Sequence, residues 1–174
     1  MAIDFSWIRA IRRNHAAEHA TIAILSRRLD AFGRLGGRAA LNGFYIYGAA
    51  PTEAVEEAAR EAVNRLRHGE ENLAVSPFCG TNFLLAGILS AIGAGLVLGR
   101  SKRIQKLPMA TAVAVGATLL SFRMGGEVQR RWTTLPAIGN LTVDRIIKMR
   151  DGPRAVHRIY IHVAPPLPLQ AALS

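Results

Sequence analysis

The chain has 174 residues, of which half are hydrophobic but only 6% are aromatic, and its formal net charge is +10. This length suits one ordinary domain, or one small domain together with a membrane element. Apolar content made of aliphatic and small residues is typical of membrane helices, and the scarcity of aromatic residues among the basic ones argues against nucleic-acid binding. Cys79 is the single cysteine, which excludes an internal disulfide.

The first predicted element is a helix that runs from about Asp4 or Ser6 to about Asp30 and carries an H-x-x-E-H motif. His15 and His19 are four residues apart, so both imidazoles lie on one helical face and can reach a single metal ion. Glu18 borders the same face and, as in the reversed zincin motif, is the candidate catalytic residue. The alternative is a buried His-Glu-His hydrogen-bond cluster that only fixes the helix, because a three-residue motif is a weak signal.

Several short elements are predicted between this helix and residue 80. The Leu-Asn-Gly sequence at 41–43 is a turn signal before an aromatic strand at 44–48, which predicts a β-hairpin. Pro51 opens a second helix, for which Thr52 is the candidate N-cap. The apolar run at 72–75 predicts a further short strand.

Cys79 precedes the most apolar part of the chain, and three roles are open to it. Its thiol is a candidate third ligand of a His-His-Cys metal site, which leaves one position for water or substrate. It is also a candidate nucleophile with His15 or His19 as its base. Alternatively, it is a small buried residue at a tight turn, since free cysteines are commonly buried. Thr81 or Asn82 is the expected cap of the helix that follows.

Two uncharged stretches predict a helical hairpin through a membrane. Thr81 to Gly99 is long enough, at about 28 Å, to cross the apolar core of a bilayer. Leu107 to Phe122 is a second, shorter stretch, and a basic segment at 100–106 joins the two. The positive charge that flanks this region favours contact with an anionic membrane surface. The alternative is a pair of buried helices in a soluble bundle.

The orientation of this hairpin depends on two opposing signals. The basic joining segment argues for a cytoplasmic loop, because lysine and arginine are enriched on that side of a membrane. The first residues lack the regions of a signal peptide, which argues against export of the N-terminal part. We expect a protein of the bacterial cytoplasmic membrane with two spans and with both termini in the cytoplasm.

The C-terminal part returns to soluble structure. Segments 143–150 and 155–163 alternate apolar and polar residues about an Asp-Gly-Pro turn and predict a second β-hairpin. The apolar, proline-rich tail at 164–169 is too short to cross a membrane and is expected to lie along a surface or a partner.

These elements together predict an α+β fold. Residues 1–80 form a small soluble helix and hairpin layer that residues 124–174 complete with a β-hairpin and the proline-rich tail. A two-helix transmembrane hairpin, residues 81–123, is inserted into this layer. The soluble part is expected to hold one long helix, one short helix and four to five strands.

The two motifs together resemble the uncharacterised bacterial YqhQ-like membrane proteins, which are regarded as metal-dependent enzymes. The residues that carry the resemblance are His15, Glu18, His19, Thr21 and Ile22, followed by the run from Cys79 to Leu85. The segments 14–22 and 51–58 are also similar to a smaller bacterial family with one membrane hairpin. Ser76 departs from the YqhQ-like pattern, in which a histidine stands three residues before the cysteine. If that histidine binds metal, the resemblance implies that this chain has lost one ligand.

The first functional hypothesis is a membrane-anchored hydrolase in which His15, His19 and Cys79 bind a divalent metal. Imidazole and thiolate ligands favour zinc. Glu18 is then the general base that acts on water at the metal. The expected substrate is a peptide or a lipid-linked molecule at the membrane face.

Two other hypotheses remain open on the sequence alone. The chain is alternatively a non-catalytic accessory subunit of a larger membrane complex or a homo-oligomer, with the cluster as a structural or vestigial site. A redox or metal sensor that uses Cys79 is the third possibility. Glu70 or Glu71 are reserve metal ligands just upstream of the first span. The expected partners are the lipid bilayer and other membrane proteins, and no nucleic acid.

Overall fold

The computed structural model describes residues 6–31, 34–99 and 103–163. The chain divides into two compact units, one formed by Met1–Val75 with Thr134–Ser174 and the other by Ser76–Thr133. We refer to them as the α+β unit and the hairpin unit. The predicted proline-rich tail and part of the basic joining segment lie outside the described residues.

The α+β unit combines two helices with a four-stranded antiparallel sheet whose strand order is β1-β2-β4-β3. Its elements are α1 (Ser6–Arg28), β1 (Gly36–Ala40), β2 (Gly43–Tyr47), α2 (Thr52–Arg67), a 3₁₀ helix (Glu71–Ala74), β3 (Leu141–Arg150) and β4 (Val156–Val163). The predicted α+β class is confirmed.

The core of this unit lies between the two helices and one face of the sheet. Phe44 and Ile46 alternate along β2 and are fully buried, together with Ile159, the cross-strand partner of Phe44 on β4. Alanines fill much of the side of α1 that faces the core. On the side of α2 that faces the core, alanines alternate with valine and leucine. Such small side chains let helices approach closely, so the core is shallow and backbone groups lie near one another.

The hairpin unit consists of α3 (Gly80–Leu98) and α4 (Arg103–Val128), which continues as a π-helical turn (Gln129–Thr133). Both helices are long and apolar enough to cross a membrane, and only 11% of the most apolar stretch of each helix is buried within the structure. The Ser90 hydroxyl donates to the Ala114 carbonyl oxygen at 2.9 Å and lies 3.0 Å from the Thr118 hydroxyl. Hydrogen bonds between otherwise apolar helices are a common feature of transmembrane packing.

Three local predictions were wrong. The predicted strand at 72–75 is the 3₁₀ helix, in which the Leu73 N–H donates to the Glu70 carbonyl oxygen at 3.1 Å. A four-residue apolar run does not distinguish these structures. Thr52 does not cap α2: Pro51 occupies the N-cap, and the Thr52 hydroxyl lies 3.2 Å from His157 Nε2.

The third wrong prediction concerns the start of α3. Its N-cap is Cys79 rather than Thr81 or Asn82. The Asn82 side chain donates instead to the Pro77 carbonyl oxygen at 2.9 Å, so its amide is engaged in the turn that precedes the helix.

Candidate metal centre

His15 and His19 lie on one face of α1, as their spacing predicts. Their ring centroids are 4.3 Å apart and the rings meet edge to face at 62°. His19 is 4% exposed, whereas His15 is half-buried. The neighbouring Asn14 fixes this part of the helix, because its amide donates to the carbonyl oxygens of Ala40 and Leu41 at 2.8 and 2.9 Å. The segment of α1 that carries the two imidazoles is therefore anchored to the turn between β1 and β2.

The tautomer of His19 follows from its buried partner. His19 Nδ1 lies 2.8 Å from the Ala74 carbonyl oxygen. A carbonyl only accepts hydrogen bonds, so Nδ1 carries the proton and Nε2 keeps its lone pair. Metal-binding histidines commonly donate their second ring nitrogen to a backbone carbonyl or a carboxylate in this way. His19 is thus prepared to bind a cation through Nε2.

Glu18 is a buried carboxyl group in an apolar part of the core. It is 5% exposed, and burial raises its pKa to about 7, although the charge of His15 and a hydrogen bond from the Ala39 N–H act in the opposite direction. A Cβ atom at Gly37 would lie 2.4 Å from Glu18 Oε1, so only glycine fits beside this carboxyl group. Glu18 therefore faces β1 and titrates near neutral pH.

Cys79 is the N-cap of α3 and is 5% exposed. The Thr81 N–H lies 3.4 Å from its sulfur and donates to it. The N-terminus of a helix carries a partial positive charge, so its N–H groups are directed towards an acceptor such as this sulfur. This environment suits a sulfur ligand.

His15 and His19 belong to the α+β unit, whereas Cys79 belongs to the hairpin unit. Glu70, a predicted reserve ligand, accepts hydrogen bonds from the Arg65 guanidinium instead. Two helix-borne imidazoles are the donors that the α+β unit brings together.

Sequence reasoning missed the groups that hold the turn at residues 76–79. The side-chain amide of Gln129 accepts from the Ser76 N–H and donates to the Ser76 carbonyl oxygen, both at 2.9 Å. It also donates to Asn82 Oδ1 at 2.8 Å. A Cβ atom at Gly125 would lie 2.1 Å from that oxygen. Asn82, an amide inside the first apolar stretch, was the available signal, because buried amides require partners.

Ser76 stands where the YqhQ-like pattern has a histidine, and its hydroxyl has a local task. Its Oγ accepts a hydrogen bond from the Phe78 N–H at 3.2 Å. Ser76 thus closes the turn before Cys79 and, with Gln129, fixes the backbone from which the cysteine projects.

Comparison with known proteins gives a family but no activity. An uncharacterised protein of Picosynechococcus sp. is 32% identical over 152 residues, which cover 81% of this chain and 73% of the relative. No solved structure matches the chain. A family described as a domain of unknown function, DUF6391, matches residues 10–146, which include both histidines and Cys79. The chain belongs to the DUF6391 family.

Proposed function

We propose that this protein is a membrane-anchored metal-binding protein that catalyses a metal-dependent hydrolysis at the membrane surface. The observation that carries the proposal is the pair of imidazoles that α1 brings together, His15 and His19, whose ring centroids are 4.3 Å apart. We propose Cys79 as the third ligand. The tautomer of His19 supports the proposal, because the neutral ring that donates from Nδ1 keeps the lone pair of Nε2 for a metal.

The donor set fits zinc. Two imidazole nitrogens and one thiolate are ligands that zinc prefers, and they leave the fourth tetrahedral position open.

Glu18 supplies the proton transfer in this proposal. A divalent cation in such a site lowers the pKa of water and polarises a carbonyl or phosphoryl group. The pKa of Glu18 is raised to about 7, so its carboxylate is both present and basic at neutral pH. The Ala39 N–H holds this carboxylate, and Gly37 leaves room for it. Glu18 accepts a proton from attacking water and returns it to the leaving group.

The site of action follows from the two apolar helices. Gly80–Leu98 and Ile104–Thr133 are long enough to cross a membrane. We infer a bacterial cytoplasmic membrane with both termini on the cytoplasmic side. The substrate class that suits an enzyme anchored in this way is a membrane-borne peptide or a lipid-linked molecule.

Metal analysis of the full-length chain in neutral detergent tests the proposal. We expect about one zinc per chain, since the proposed site takes one metal ion, and its loss in a His15→Ala/His19→Ala variant. His68→Ala is the matched control, because His68 is exposed at the end of α2 and its Nδ1 lies 2.8 Å from the Asn64 carbonyl oxygen. Wild-type protein that is folded but free of metal after reconstitution with zinc would refute the proposal.

A second variant separates metal binding from catalysis. Glu18→Gln preserves the shape of the side chain and is expected to retain zinc while it abolishes hydrolysis of model esters or peptides. Loss of zinc in this variant would instead make Glu18 a structural neighbour of the site.

A non-catalytic accessory subunit is the second candidate, and the burial of the donors favours it. His19 and Cys79 are 4% and 5% exposed. A closed site suits a structural metal, whereas a catalytic metal needs a position open to substrate. Cobalt substitution distinguishes the two: added azide changes the visible spectrum of an open site and leaves that of a closed site unchanged.

A further inference from the structure

The four-stranded sheet has a second face, opposite α1 and α2, on which arginine and tyrosine side chains alternate. Cross-strand partners point to the same side of a sheet. Arg38 on β1 pairs with Tyr45 on β2, Tyr45 pairs with Arg158 on β4, and Arg158 pairs with Ile147 on β3. The buried Phe44 and Ile46 alternate with Tyr45, so this row lies on the face away from the core. We call it the arginine face.

The arginine face contains a connected series of cation–π contacts. The Arg158 guanidinium lies 4.4 Å from the centroid of the Tyr45 ring and 4.9 Å from that of Tyr160. Arg38 lies 5.8 Å from the Tyr45 ring, and Arg145 lies 4.6 Å from the Tyr160 ring. Both rings therefore have guanidinium groups over them.

These positive charges lack ion-pair partners within the part of the chain that the structure describes. Among residues 6–31, 34–99 and 103–163, no ion pair involves any arginine of this face. They are Arg34, Arg38, Arg145, Arg150, Arg154 and Arg158. Arg158 is only 7% exposed, and its Nη1 has no hydrogen-bond partner among the described residues. An unneutralised buried charge is costly, and its field extends to the surface of the face.

The opposite side of the same unit is built differently. Arg28, Arg60 and Arg65 all form ion pairs with glutamates of α2 or of the turn after it. The acidic residues that neutralise arginine are thus concentrated near α2. The arginine face is left as a positively charged surface that requires an anion from outside the described chain.

We propose that the arginine face binds the phosphate headgroups of anionic lipids at a membrane surface. Apolar side chains stand beside the arginines: Met149 is 61% exposed and Ile147 is 43% exposed. Tyr47 borders a groove of about 610 Å³ that Arg34, Arg150 and Arg154 also line. Arginine, tyrosine and exposed aliphatic groups together suit the layer between headgroups and acyl chains. The same chain carries two helices able to cross a bilayer, which provides such a surface.

A nucleic acid offers the same phosphates but fits this face less well. Proteins that bind single strands use free aromatic faces on which bases stack. Here guanidinium groups cover the rings of Tyr45 and Tyr160. The face therefore presents charge and aliphatic surface rather than stacking platforms, and we assign it to lipid.

Arginine footprinting of the full-length protein tests this proposal. The chain is reconstituted in nanodiscs of phosphatidylcholine, alone or mixed equally with phosphatidylglycerol, and treated with phenylglyoxal. Arg38 and Arg145 are expected to react more slowly, on the order of fivefold, in the discs with phosphatidylglycerol. Arg60 on α2 is the internal reference and is expected to react equally in both. Equal rates for Arg38 and Arg145 in the two kinds of disc would overturn the proposal.

Two further arms use other polyanions on the discs of phosphatidylcholine. Protection of Arg38 and Arg145 by single-stranded RNA, or by polyglutamate, without protection by phosphatidylglycerol would overturn the proposal in favour of that partner. Successful incorporation into neutral discs tests membrane insertion separately, so its failure is distinguishable from failure of the arginine face.

A pair of charge-matched variants provides an independent measurement. Arg38→Gln/Arg145→Gln and Arg60→Gln/Arg65→Gln each remove two positive charges. Native mass spectrometry from neutral detergent counts the phosphatidylglycerol retained by each. The first variant is expected to bind on the order of tenfold more weakly than wild type, and the second to bind as wild type. If both variants bound phosphatidylglycerol equally weakly, the loss of net charge alone would explain the effect, and the assignment to the arginine face would be overturned.

Discussion

Two buried polar clusters, one in each unit, are stabilised in different ways. In the hairpin unit, Asn82 and Gln129 satisfy one another and the Ser76 backbone through hydrogen bonds of 2.8 to 2.9 Å. In the α+β unit, Glu18 and His19 bring an ionisable carboxyl group and a donor atom into the core. Neutral amides with complete hydrogen bonding contribute to stability, whereas a carboxyl group forced to titrate near pH 7 opposes it.

This difference separates structural from functional chemistry within one chain. A site selected for stability alone has no use for a carboxyl group whose ionised form is disfavoured by burial. Retention of such a group beside two imidazoles is understandable if a cation or a reaction needs its charge. The amide cluster of Asn82 and Gln129, by contrast, holds the turn before Cys79 and needs no ligand of its own.

The strongest effect is expected from the ionisation of Glu18. Its pKa is about 7 in the folded protein and 4.5 without the influence of the fold, so the folded state binds more protons between these values. The free energy of unfolding of the metal-free protein should therefore fall as the pH rises from about 4.5 to 7, by about 3 kcal/mol. Chemical unfolding in neutral detergent over this range measures the change.

Glu18→Gln isolates this contribution from the other titrating groups. His157 acts in the opposite direction, because burial lowers its pKa and favours unfolding in acid. The difference between wild type and Glu18→Gln cancels His157 and should show the full slope. A difference that is constant with pH would contradict a raised pKa for Glu18.

The contribution of the amide cluster to stability should depend on how tightly side chains pack around it rather than on pH. In Gly125→Ala, the new Cβ atom would lie 2.1 Å from Asn82 Oδ1 and 2.6 Å from its Cγ, and would displace the amide from Gln129. Overpacking of this kind is expected to lower the free energy of unfolding by about 2 kcal/mol. Gly116→Ala is the control on the same helix, because nothing lies within 4 Å of its new Cβ atom.

Gly116→Ala should be neutral or slightly stabilising, since alanine is the better helix former. Equal destabilisation by both alanines would show that the helix backbone, rather than the amide cluster, is sensitive to substitution. The metal content of folded Gly125→Ala protein then shows how far the turn before Cys79 controls the site.

The sequence predicted those features that depend on spacing within one element. Four-residue spacing placed His15 and His19 on one face of α1, and hydrophobic length identified the two long apolar helices. It did not predict partners set by contacts between distant segments. The Ala74 carbonyl that fixes the tautomer of His19 belongs to the 3₁₀ helix, where the sequence pattern predicts a strand.

The arginine face shows the same limit most clearly. Aromatic residues are sparse among the basic ones along the sequence, and this pattern does not predict a surface on which the two alternate. Antiparallel pairing brings Arg38, Tyr45 and Arg158 into one row from three strands. The sequence predicts the turn between β1 and β2, but the pairing of β2 with the distant strand β4 is set by contacts that no local pattern shows.

An exposed ion pair gives the smallest expected effect and sets the scale for the two clusters. Arg60 and Glu56 lie one turn apart on α2, at 2.8 Å, and their side chains are 55% and 45% exposed. Water and salt screen such a pair, so Arg60→Gln should change the free energy of unfolding by about 0.5 kcal/mol or less. Unfolding at low and high salt measures this value, which should shrink further at high salt. A larger and salt-independent loss would mean that the Arg60 bond to the Val143 carbonyl oxygen, at 3.5 Å, ties α2 to β3 more strongly than its length implies. The difference in free energy of unfolding between substitutions in the buried clusters and substitutions of exposed charges would then be smaller than burial alone predicts.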